Sequence, residues 1–171
     1  MPSFLSLYGL TGAMISAVDL LRGIAVYAGL EVIEVPGATG TIDTNYSGKV
    51  KGALEALSRH DFAYLHVEAP DEASHEGDLE GKIRAIELLD QMVVGPVIEG
   101  LEKSGEDWRI LLLPDHATPI SIRTHSRDPV PFVIMGRGIE PDGLDRFDEQ
   151  SAEQGGYGRV DATALVRMLA A

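Results

Sequence analysis

The sequence predicts an α/β fold with a largely parallel sheet. Two observations carry that expectation. Stretches with apolar residues at helical spacing alternate along the chain with short apolar runs such as FAYLHVEA and WRILLLP. Alternation of this kind packs helices against a sheet whose strands run mostly parallel. The 171 residues amount to one domain and are enough for a substantial core.

The elements follow in order. ISAVDLLRGIAVYAG, residues 15–29, has helical spacing and a glycine stop. LEVIEV (30–35) reads as a strand and PGATGTIDTNYSG (36–48) as a turn-rich loop. Asn45 or Ser47 is placed to cap the helix VKGALEALSR, 50–59. FAYLHVEA (62–69) is a buried strand and APDEASHEGD (69–78) a polar loop. A long amphipathic helix over 81–103 is expected to be disturbed near Gly95 and Pro96. Strands at 108–114 and 130–136 flank the loop DHATPISIRTHSRD, and the segment after them is mostly loop. DATALVRMLA (161–170) closes as a helix. There is no internal repeat, low-complexity tract or interdomain linker.

Composition narrows the function. A net charge of −13 disfavours nucleic acid and anionic membrane as partners. Its plainest use is solubility, with metal binding by some of the acids as the pointed alternative. No apolar run approaches the roughly 18–20 residues of a membrane span. The N-terminus lacks the basic region of a secretory signal. The absence of cysteine rules out disulfides and thiolate metal sites and suits a cytoplasmic setting.

Ligands in open α/β sheets sit beyond the carboxyl ends of strands. Asp71 and His75 follow one predicted strand; Asp115 and His116 follow another, and His125 lies before the next. Carboxylate and imidazole suit manganese, magnesium, cobalt or zinc. Two Asp and three His exceed one tetrahedral shell, so two ions sharing them is the better fit. Asp71 and His75, at i and i+4, meet if the loop begins a helical turn. His60 lies on the opposite side of the sheet, and His66 is expected to be a core histidine with a partner. An Asp-His dipeptide or a DxxxH spacing alone is commonly a solvated turn. Five such residues gathering at one edge are what give the pattern weight.

Several segments are recognisable together. HVEAPDEASHEGDLEGKIRAIELLD and LLLPDHATPISIRTHSRDPVPFVI resemble the two metal segments of the archaeal-type cofactor-independent phosphoglycerate mutases, of the alkaline phosphatase superfamily. ISAVDLLRGIA and EVIEVPGATGTIDTNYSGKVKGALEAL resemble the stretch that precedes them. The resemblance covers nearly the whole chain, with only about the last twenty residues matching loosely. It implies a three-layer α/β/α, alkaline-phosphatase-like architecture. Residues 1–171 would form a single domain, the C-terminal part of the metal-binding catalytic domain. The nucleophile segment and the inserted substrate domain are expected upstream, outside the chain.

The resemblance implies that Asp71, His75 and His125 hold one divalent ion, and Asp115 and His116 the other. It implies interconversion of 2- and 3-phosphoglycerate, a step of glycolysis and gluconeogenesis. No catalytic nucleophile is expected within this chain. Ser74 (a Gly in one family pattern), Thr118, Ser121, Thr124 and Ser126 stand outside the family's nucleophile context and are read as loop hydrogen-bonders. Arg123 and Arg127 flank His125 and are placed to hold an anion. The family's phosphoryl-contacting lysine has Lys49 or Arg22 as its counterpart. The chain alone is therefore expected to lack mutase activity. A sheet edge left open by a missing segment would favour a homodimer. The competing readings are a metal-dependent phosphatase, phosphodiesterase or sulfatase of the same superfamily, a non-catalytic metal-binding module, and a plain α/β domain with decorative His and Asp.

Overall fold

The computed structural model describes residues 2–170. The chain divides into two compact units, one ending at Ser104 and one beginning at Gly105. In the first, α1 (Phe4–Tyr8) leads to β1 (Gly12–Ile15), α2 (Asp19–Ala28), β2 (Glu31–Val32) and α3 (Tyr46–Leu57). β3 (Phe62–Leu65), α4 (Ala69–Glu76), α5 (Leu79–Leu89), a π-helical turn (Asp90–Val94) and α6 (Gly95–Ser104) follow. The second unit holds β4 (Arg109–Leu112), β5 (Val133–Gly136), α7 (Glu149–Ala152) and α8 (Ala162–Ala170).

The first unit is built on a parallel sheet ordered β2-β1-β3. β1 is central, and all four of its residues are buried, as a parallel strand covered on both faces requires. Its GAMI run precedes a helical pattern without punctuation, so periodicity alone absorbs its end into the helix expected over 15–29. Strand character appears only through its pairing with Phe62–Leu65. Tyr46, Val50 and Val93 form the buried cluster, with Leu54, Leu65, Val67, Leu88 and Val97 packed against it. The second unit pairs β4 and β5 antiparallel, from Arg109 opposite Gly136 to Leu112 opposite Val133.

One expectation needs correction. The segment expected as the polar loop 69–78 is mostly the helix α4. Pro70 lies at its start, Asp71 and Glu72 occupy the first turn, and Gly77 ends it in the left-handed conformation. Only Ala69 and Ser74 are buried, so no apolar stripe announces it. The long helix is disturbed where expected, by a π turn over Asp90–Val94 that runs directly into Gly95.

α3 starts four residues earlier than its apolar pattern, because Asn45 caps it. The Asn45 side chain accepts from the Gly48 N–H at 2.9 Å and donates to the Pro36 carbonyl at 2.9 Å. Asn45→Ala removes both bonds and is expected to cost about 1–2 kcal/mol. Denaturant unfolding would show it as a lower midpoint with unchanged slope; an unchanged midpoint would refute this role for Asn45.

Candidate metal centre

In the first unit, three residues separate β3 from α4, which so stands beyond the carboxyl end of a parallel strand. One helical turn separates Asp71 from His75 and puts them on one face. Asp71 Oδ2 lies 3.2 Å from His75 Nε2. Ser74, completely buried, donates to the Pro70 carbonyl at 2.6 Å. That is the bond a helical serine makes to the carbonyl four residues back, so Ser74, expected as a loop hydrogen-bonder, is instead a helical one with its hydroxyl occupied.

In the second unit, β4 ends at Leu112 and the chain turns outward through Asp115 and His116. An isolated antiparallel bridge joins Ala117 to Ser126, with the Ser126 N–H donating to the Ala117 carbonyl at 2.9 Å. His116 and His125 each precede a bridging residue, and their rings stack with centroids 3.6 Å apart. Asp115 Oδ1 lies 3.6 Å from His116 Nε2. The other imidazole nitrogen, Nδ1, lies 3.1 Å from the Thr118 hydroxyl. Thr118 is buried, so it is well placed to fix the ring and leave Nε2 toward the Asp115 carboxylate.

The donor sets suit divalent cations. Two ligand atoms each about 2.1 Å from one ion lie roughly 3–3.5 Å apart. The Asp71–His75 separation of 3.2 Å falls within that range and the Asp115–His116 separation of 3.6 Å just beyond it. Oxygen and nitrogen without sulfur suit manganese, magnesium, cobalt or zinc.

The remaining expected residues are placed as follows. Arg123 and Arg127 are exposed on the loop that carries His125. Arg123 sits at the loop tip with a φ of 53°, its N–H donating to the Pro119 carbonyl at 2.9 Å. Arg22 pairs with Asp19 at 3.2 Å and also with Glu34. Lys49 is completely buried, with Nζ donating to the carbonyls of Thr39 and His66. Burial pushes the Lys49 pKa down, and the nearby Glu68 carboxylate opposes that shift. His66 contacts Ser16 Oγ and Glu68 Oε2 through Nδ1, each at 3.4 Å, as a partnered histidine should. His60 Nε2 contacts Glu31 at 2.6 Å. Residue types could not reveal the orienting role of Thr118 or the burial of Lys49, since both depend on how the loops close.

Known proteins resemble the chain over its whole length. The family described as Metalloenzyme superfamily matches residues 1–171. The chain is 66% identical over 171 residues to the 2,3-bisphosphoglycerate-independent phosphoglycerate mutase of Methanothrix thermoacetophila, covering all of this chain and 44% of that relative. It thus spans less than half the length of that curated relative. Among solved structures it is similar to the PH0037 protein from Pyrococcus horikoshii, with a TM-score of 0.91 and 34% identity over 98% of this chain and 50% of that one. It is also similar to the cofactor-independent phosphoglycerate mutase from Thermoplasma acidophilum, with a TM-score of 0.71 and 25% identity over 99% of this chain and 38% of that one.

Proposed function

The chain belongs to the Metalloenzyme superfamily, and on that premise we propose that it supplies five ligands of a two-metal site for phosphoglycerate mutation. In this proposal Asp71, His75 and His125 hold one ion, and Asp115 and His116 hold the other. The single observation that best supports it is the close approach within two Asp–His pairs, at 3.2 and 3.6 Å, each beyond a strand's carboxyl end. The names of the relatives support the mutase over a phosphatase, phosphodiesterase or sulfatase.

Divalent ions held there, whether manganese, magnesium, cobalt or zinc, would lower the pKa of an attacking hydroxyl and neutralise charge on the transferring phosphoryl group. The carboxylates and imidazoles fix the positions where those ions act. Thr118 orients the His116 ring. Arg123 and Arg127 offer guanidinium groups to the anionic substrate. The hydroxyl that takes the phosphoryl group and returns it to the other glycerate oxygen is assigned to a segment outside residues 1–171. The chain is then the C-terminal part of a phosphatase-like catalytic domain. A cytoplasmic setting belongs to the same reading, and so does self-association at an open sheet edge.

Calorimetric titration of the purified 171-residue chain with Mn2+ tests the proposal, alongside a mutase assay. Saturable binding with no turnover is expected. Absence of binding would count against the ligand assignment. Turnover by the chain alone would show that the nucleophile lies within it.

A further inference from the structure

Lys49 is the largest side chain that the described residues bury completely, ahead of Ile15 and Ser74. A buried ammonium is costly unless its donors are satisfied. Its place in the first turn of α3 adds to the cost, because the positive end of a helix disfavours a cation. The structure shows what offsets these penalties. Nζ donates to the Thr39 carbonyl at 3.4 Å and to the His66 carbonyl at 3.1 Å, with the Glu68 charge nearby.

The two carbonyls belong to different segments. Thr39 lies in the loop between β2 and α3, and His66 follows β3 directly. The His66 N–H donates to the Ile15 carbonyl at 2.9 Å, so both backbone groups of His66 are held. Two residues later Glu68 opens α4, its carbonyl accepting from the N–H groups of Asp71 at 2.8 Å and Glu72 at 3.2 Å. The loop lies against the same residue: a Cβ on Gly40 would meet Glu68 Cγ at 3.4 Å.

We infer that Lys49 is a positioning residue whose ammonium ties the Thr39 loop to the β3–α4 junction and so sets the direction in which α4 presents Asp71 and His75. An apolar side chain of equal length would fill the space, but it would strand both carbonyls and release the junction. The tie stands on its own hydrogen bonds. Its consequence for metal binding rests on the function proposed above.

Hydrogen exchange on Lys49→Met without metal tests the tie. The α4 amides from Glu72 to Glu76 are expected to exchange about tenfold faster than in the wild type, with β1 and the second unit unchanged. Ala53→Gly weakens α3 without touching the tie and is the control for general loosening; it must not reproduce the α4 pattern. Mn2+ affinity of K49M is expected to fall about tenfold. Unchanged α4 exchange, or equal acceleration throughout, overturns the inference. If K49M does not fold, Lys49→Gln, which keeps a donor but loses the charge, is judged by the same pattern. Failure of the wild type to bind Mn2+ would instead refute the metal reading, and α4 exchange would still decide the role of Lys49.

Discussion

His116→Ala is expected to weaken Mn2+ binding at least about a hundredfold. Loss of a group that merely orients a ligand typically costs about 10–100-fold, and His116 is assigned as a ligand itself. The side chain is about one-third exposed, so its removal leaves little cavity and the metal-free protein should keep its melting temperature within about 2 °C. The metal-bound comparison separates the two proteins. At Mn2+ a hundredfold above its dissociation constant, the wild type gains about 2.7 kcal/mol. That corresponds to a rise of roughly 5–10 °C for a chain of this size. The variant should show almost none of it. Thr118→Val, which removes the hydroxyl 3.1 Å from His116 Nδ1, should fall between them, about tenfold weaker than the wild type. A His116→Ala protein that binds Mn2+ as the wild type does would remove His116 from the site.

The largest stability effect is expected at Gly136, at the end of β5 opposite Arg109. Its φ is 121°, which an L side chain rarely adopts. A Cβ there would lie 2.2 Å from the Trp108 carbonyl oxygen and 2.9 Å from the Arg109 Cα. Both are backbone atoms of the paired strand and its approach, so no side chain can swing aside. Strain at such a position costs about 1–3 kcal/mol before the overlap is counted. Gly136→Ala should therefore lose about 3 kcal/mol or more, a drop in melting temperature of about 6–12 °C. Because β4 and β5 flank the loop bearing His116 and His125, the looser ladder should also weaken Mn2+ binding. A variant melting within a degree of the wild type would show that the strands have room to separate at this point.

Local chemistry makes the Asp and His residues legible in the sequence. Asp115 and His116 are adjacent, and Asp71 and His75 are four residues apart; neither spacing is telling by itself, but with His125 all five follow predicted strands at one edge of the sheet. The helix that aligns Asp71 with His75 is not legible, because α4 buries only Ala69 and Ser74 and so shows no apolar stripe. β1 is hidden for the opposite reason. Its apolar residues run straight into a helical pattern, and only pairing with β2 and β3 identifies them as a strand.

Residue type and short-range spacing suffice for the α/β class, the donor chemistry and the order in which the ligands occur. The chain carries these properties whatever its conformation. Folding adds the burial of Lys49 and its tie to two carbonyls, the hold of Thr118 on His116, and the Ala117–Ser126 bridge that accompanies the stacking of His116 on His125. Apart from the His116–Thr118 pair, these contacts join groups that loops hold apart in the sequence. Their meeting is set by how those loops close and what they bury, a long-range condition that no local pattern encodes.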